Sequence, residues 1–173
     1  MYYSSLGDSL QIYRADMDGK NQMLLANLSH VGGDTFVDVA LDKPNNRLFF
    51  SDQIHDVIRY INLTNMEIRT ILSGNFHKPT SLALFKDTLF WTAKGDGTFS
   101  GVVFKANLKA SSVTAETVAD GFGTPKGILG YSMETEIPGR KAVKKVHFSC
   151  CRNKQNLKFS FTLHVNLKLV LLI

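Results

Sequence analysis

The sequence predicts an all-β chain: part of a β-propeller, about three blades of it, followed by a C-terminal tail outside the repeat. Three observations predict this. A four-residue motif, an aromatic pair followed by a hydroxyl residue and a small or acidic one, occurs as Tyr2-Tyr3-Ser4-Ser5, Phe49-Phe50-Ser51-Asp52 and Phe90-Trp91-Thr92-Ala93. A second segment follows each motif at similar distance: Ile12-Tyr13-Arg14-Ala15-Asp16-Met17-Asp18-Gly19, Ile58-Arg59-Tyr60-Ile61-Asn62-Leu63-Thr64-Asn65 and Val103-Phe104-Lys105-Ala106-Asn107-Leu108-Lys109-Ala110. No run combines an N-cap, a 3.6-periodic apolar stripe and a C-terminal Gly, so helix pairs are disfavoured. Recurrence at about 45 residues, with four short apolar runs per unit, is the length of one propeller blade.

The elements follow from the apolar runs and the turn residues between them. In the best-defined unit, strands are expected near 36–41, 47–51, 57–62 and 68–73, with Lys43-Pro44-Asn45-Asn46 turning between the first two. The lead-in Val39-Ala40-Leu41-Asp42 is matched one unit later by Leu82-Ala83-Leu84-Phe85, where Lys86-Asp87-Thr88 provides a shorter turn. Length change at that point marks a loop tip. Gly95-Asp96-Gly97 reads as a hairpin turn between the second and third strands of a blade rather than as a phosphate cradle.

These segments resemble the class B (YWTD) repeats of the low-density lipoprotein receptor and its relatives. The resemblance covers roughly residues 1 to 128, with Phe90-Trp91-Thr92 the nearest copy of the motif core. It implies a six-bladed β-propeller, and in that family the closing Asp of the motif is structural, bonding within and between blades. Asp52 keeps it, while Ser5 and Ala93 replace it, at a cost of about 1 kcal/mol per net hydrogen bond if nothing substitutes. Six blades of about 40 residues would need far more chain than three units supply. The expectation is therefore a segment of a larger ring, with Ile58, Phe90 and Trp91 partly uncovered on open blade faces.

Charge divides the chain at the same place. Residues 1–138 hold 12 of the 20 Lys and Arg and all 15 acids, whereas residues 139–173 hold the other 8 basic residues and none. The net charge of +5 is thus a property of the tail, and nucleic acid is not an expected partner of the mildly acidic repeats. The expected division is residues 1–137 as propeller blades and 138–173 as a non-repeat basic and apolar tail. From Leu157 to Leu169 the tail alternates apolar and polar residues strictly, which predicts a strand with one apolar face and no membrane helix. It reads either as an added strand or as a gene-model artefact translated past a splice junction; the abrupt change of composition favours the second.

Chemistry-bearing patterns are sparse. No GxSxG, HExxH, P-loop or kinase signature occurs, so no catalytic, metal or cofactor-binding residue is assigned. Asp16, Asp18 and Asn21 lack the further acids of a calcium loop and read as a turn. Cys150-Cys151, with His147 nearby, has no metal-ligand spacing. His30, His55 and His77 fall between strands and read as surface loop residues. Asn27-Leu28-Ser29 and Asn62-Leu63-Thr64 are N-glycosylation sequons, making Asn27 and Asn62 the candidate modified residues.

The resemblance implies a non-enzymatic binding or structural segment of a receptor related to the low-density lipoprotein receptor, endocytic or signalling. Expected partners are protein ligands on a propeller face, the remaining blades and EGF-like modules. It would lie at the cell surface within a longer single-pass membrane protein, since residues 1–25 carry no signal peptide and the chain no membrane span. The alternatives are a nidogen-like matrix protein and a six-bladed lactonase or strictosidine-synthase type enzyme. The last would need channel acids that recur, yet Phe85 stands at the position of Asp42.

Overall fold

The computed structural model describes residues 1–6, 9–28, 38–74, 76, 78–95, 97, 100–122, 128, 132–135, 143–151, 158–164 and 168–171. All regular structure among them is antiparallel strand. Sheet one comprises β1 (Tyr2–Leu6), β2 (Leu10–Arg14) and β3 (Met23–Leu28). Sheet two orders β4 (Val39–Asp42), β5 (Arg47–Asp52), β6 (Val57–Asn62) and β7 (Ile68–Ser73). Sheet three repeats that order with β8 (Pro79–Phe85), β9 (Thr88–Ala93), β10 (Gly101–Asn107) and β11 (Glu116–Phe122). Sheet four contains β12 (Ser132–Thr135), β13 (Val143–Cys151), β14 (Lys158–His164) and β15 (Lys168–Leu171).

The strands expected in the second unit form, and residues 43–46 and 86–87 make the turns placed there. Residues 36 and 37, the expected start of the first of these strands, lie outside the described residues. The alternating run of the tail divides into β14 and β15, and β12 on one side of residue 137 pairs with β13 on the other. The repeat also extends to an irregularity. The outer pair of strands shifts register between Ile12 and Tyr13, between Ile58 and Arg59, and between Val103 and Phe104, the same position in all three units. A bulge at that point strengthens twist in each sheet alike.

Strand alternation sends the two aromatics of each motif to opposite faces. Phe50 packs backward onto sheet one, in a cluster with Leu10, Ile12, Leu25, Ala26, Leu48 and Ile61. Phe49 packs forward, with Ala40, Ile58 and Leu72, against Leu82, Leu89, Trp91 and Ala106 of sheet three. Trp91, the counterpart of Phe50, likewise faces back, stacked on Phe104 at 5.4 Å with Phe76 edge-on at 5.4 Å. Phe90, the counterpart of Phe49, faces forward with Ala83 and Val103 and is covered by Ile128. Leu48, Phe49 and Phe50 of β5 and Leu89, Phe90 and Trp91 of β9 each serve one of two interfaces, which is why these strands read as continuous apolar runs.

This corrects the expectation of uncovered blade faces at Ile58, Phe90 and Trp91, whose exposures are 0%, 2% and 0%. Alternation assigns a residue to a face, but the direction of stacking decides which face finds a neighbour. The half-open face belongs instead to sheet one. There Tyr3 stacks on Tyr13 at 5.5 Å, while Leu24, paired with Tyr13 across the sheet, is 47% exposed. Tyr2, pointing the other way, packs on the core shared with sheet two.

Candidate functional site: the repeat motif and the polar links between sheets

The motif hydroxyl fastens the first strand of sheets two and three to the second. Ser51 Oγ accepts the Asp38 N–H at 3.1 Å, and the Ser51 N–H donates to the Asp38 carbonyl at 3.2 Å. In sheet three, Thr80 Oγ1 lies 2.8 Å from Thr92 Oγ1 and donates to the Thr92 carbonyl at 3.2 Å. Both motif hydroxyls are fully buried, where an unpaired hydroxyl would be costly. In the first unit Ser4 is half-buried and Ser5 exposed.

Asp52, the one motif acid, works inside its own hairpin. It accepts the His55 N–H at 3.1 Å, pairs with His55 Nδ1 at 2.9 Å and lies 3.3 Å from Arg59. Sheet three has Ala93 in its place, Phe104 at the position of Arg59, and a longer connection between its second and third strands. All partners of the acid have gone together with it. Gly95 shapes that connection: its φ is +69°, and a Cβ there would fall on the Ser100 carbonyl. The Gly97 carbonyl accepts the Ser100 hydroxyl at 2.8 Å; Asp96, the middle residue of the expected turn, lies outside the described residues.

The bonds between sheets come from residues outside the motif. Asp38 Oδ2 accepts the Ser81 hydroxyl at 2.6 Å and the Leu82 N–H at 2.8 Å. Ser81 Oγ in turn accepts the Ile128 N–H at 3.0 Å. Asp38 and Ser81 occupy the same place in successive units, immediately before Val39 and Leu82. Each takes the backbone N–H of a residue in the next segment. Asp56 adds a second link, accepting the Phe76 and Lys78 N–H groups at 2.9 Å each. Sequence reasoning passed over all three residues, although the matching positions of Asp38 and Ser81 carried a signal.

The remaining candidates resolve into structural roles. Asp42 is 3% exposed and held by Arg47 at 2.6 Å and by Asn45 at 3.0 Å; Arg47 lies over the Phe49 and Tyr60 rings at 5.1 and 5.3 Å. A carboxylate so committed is not poised as a channel base. Asn21 donates to Asp16 at 2.7 Å and Asp18 accepts the Lys20 N–H at 3.0 Å, closing the expected turn with Gly19 at φ +81°. That backbone bond, with the Lys20 ammonium beside it, lowers the Asp18 pKa. Glu67 is lowered by its hydrogen bond to Arg69, whose own pKa the pair raises. His55 sits exposed in the β5–β6 turn, whereas His30 and His77 lie outside the described residues. Cys150, Cys151 and His147 fall on β13, with their side chains outside what is described. Among the described residues no group of three or more His, Cys, Asp or Glu could hold a metal ion, and no helix is long and apolar enough to cross a membrane.

Asn27 is exposed on the outer strand of sheet one, opposite Gln11; Ser29 of its sequon lies outside the described residues. Asn62 ends β6, and its Oδ1 accepts the Thr64 N–H at 2.9 Å.

No family model matches the chain. It is 30% identical over 92 residues to the vitellogenin receptor of Solenopsis invicta, covering 53% of this chain and 5% of that protein. It is 28% identical over 94 residues to vitellogenin receptor Yl of Drosophila melanogaster, covering 53% and 4%. Protein cueball of Drosophila ananassae is 30% identical over 88 residues, covering 47% and 13%. A chain in the crystal structure of a nidogen/laminin complex superposes with a TM-score of 0.62 at 15% identity, over 95% of this chain and 57% of that one. The chain is thus similar to proteins with class B (YWTD) repeats of the low-density lipoprotein receptor type. The chain is all-β and has the fold of part of a YWTD propeller. The chain spans only a small part, 4% to 13%, of the lengths of the two vitellogenin receptors and of protein cueball. The aromatic pair and the hydroxyl keep their structural work in sheets two and three. The acid keeps it in sheet two.

Proposed function

We propose that the chain is a non-catalytic, protein-binding segment of an extracellular receptor related to the low-density lipoprotein receptor. In this reading residues 1–137 supply propeller blades and residues 138–173 a tail whose β13 pairs with β12 of the preceding segment. The observation that carries this reading is the likeness to two vitellogenin receptors over about half of the chain, together with sheets stacked through their YWTD aromatics. Stacking commits both faces of the central sheet to neighbours. The turns at the two rims are left to meet a partner, as loops on a rigid scaffold do. Those rims carry no nucleophile with an adjacent base among the described residues, and Asp42 and Asp52 are engaged in ion pairs. The partners are a protein ligand, further blades and EGF-like modules of a longer protein, with no cofactor and no nucleic acid.

A matrix role is the second reading, supported by the likeness of fold to a chain from the nidogen/laminin complex. Biolayer interferometry separates the two. The secreted chain is immobilised and offered purified vitellogenin and purified laminin. The receptor reading expects saturable binding of vitellogenin. Saturable binding of laminin alone would favour the matrix reading. Binding of neither, with hydrolysis of a lactone by the chain, would overturn both.

A further inference from the structure

We propose that Asn62 is an N-glycosylated residue, and that the turn between β6 and β7 is what presents it. This rests on the extracellular reading above, because the sugar is transferred in the secretory pathway. Asn62 commits every polar group except one to the turn. Its N–H donates to Glu67 at 2.9 Å, its carbonyl accepts Met66 at 2.8 Å, and Oδ1 accepts the Thr64 N–H at 2.9 Å. The side-chain nitrogen Nδ2 is the group left over. This Asx turn fixes Oδ1 toward the chain and directs Nδ2 away from it.

The repeat contains its own control. Asn107 makes the same turn, its Oδ1 accepting the Lys109 N–H at 3.0 Å, but with lysine where the second unit has Thr64. The turn therefore does not need a hydroxyl at that position. Thr64 is exposed, and its Oγ1 accepts Asn46 Nδ2 at 2.8 Å from the neighbouring β4–β5 turn. The sugar would stand on the rim shared by those two turns.

The transfer balances without a redox partner. Nδ2 bonds to the anomeric carbon of a lipid-linked oligosaccharide pyrophosphate and loses one proton. The carbon–oxygen bond to the lipid pyrophosphate breaks, and the pyrophosphate leaves with the electron pair.

The test expresses the full chain behind a secretory leader, with a reporter sequon appended after Ile173. Peptide N-glycosidase F in 18O-water, followed by mass spectrometry, then marks each modified asparagine. Label at Asn62 is expected, with loss in Thr64→Ala and a new label at Asn107 in Lys109→Thr. Asn27→Gln removes the other sequon of the chain, so that a label on the remaining sequence reports Asn62 or the appended reporter. Asn62 left unlabelled in chains whose reporter is glycosylated would overturn the proposal, and the reporter shows that entry to the pathway was not the cause. That result would leave the receptor reading standing, since ligand binding is measured separately.

Discussion

The Asp38 carboxylate accepts the Ser81 hydroxyl at 2.6 Å across the boundary between sheets two and three. The same oxygen takes the Leu82 N–H, so one side chain holds both a hydroxyl and a backbone donor of the next repeat. Asp38→Ala is expected to destabilise the chain by about 3 kcal/mol, because three donors, the Ser81 hydroxyl and the Leu82 and Val39 N–H groups, lose their acceptor in a half-buried site. Ser81→Ala should cost about 1 kcal/mol, and the double variant less than the sum of the two. Urea titrations of the four proteins check the cycle; strict additivity would mean that the bond carries no stability.

Restoring the family acid in the third repeat should harm the protein. Ala93 is fully buried, Phe104 stands where Arg59 serves Asp52, and the following connection lacks a counterpart of His55. Ala93→Asp would bury a carboxylate without a cation, at a cost of about 3 kcal/mol or more. Thermal melts of wild type and variant measure this, and an unchanged or raised Tm would refute it.

Glu67 gives a prediction with a defined sign. Its folded pKa lies below the ordinary value of 4.5 because Arg69 donates to it. A lowered folded pKa means that the pair contributes stability above the ordinary carboxylate range and loses it as pH falls through the folded value. Both side chains are exposed, so the contribution is small. Carboxyl NMR titration should find Glu67 below 4.5 and return it toward that value in Arg69→Ala. A wild-type value at or above 4.5 would contradict the pair.

The hairpins and the motif were legible because strand period and turn residues are local properties. Lys43-Pro44-Asn45-Asn46 announces its turn, and Phe49-Phe50 announces a strand buried on both sides. The direction of stacking was not legible, since Phe90 is covered by Ile128 from a distant segment that matches no lead-in closely. The links between sheets were hidden for the same reason. Asp38 finds Ser81 only after two sheets have been laid together, and neither residue belongs to the recurring four. The role of the motif acid was legible only in part: Asp52 bonds within its hairpin, while Asp38 and Asp56 reach beyond theirs. Of the candidate residues, the turn at Asp16, Asp18 and Asn21 was readable from composition. The unused nitrogen of Asn62 needed coordinates.

The central claim is that the aromatic motif joins one blade to the next. Trp91, the sole tryptophan, tests it most directly, because it lies fully buried between sheets two and three in a cluster with Ile58, Phe49 and Leu72. The account predicts blue-shifted emission that acrylamide quenches poorly, and stronger quenching in Ile58→Ala, a change on the facing sheet that should cost about 2–5 kcal/mol. Emission from Trp91 resembling free indole, quenched equally in both proteins while circular dichroism shows the strands intact, would contradict it.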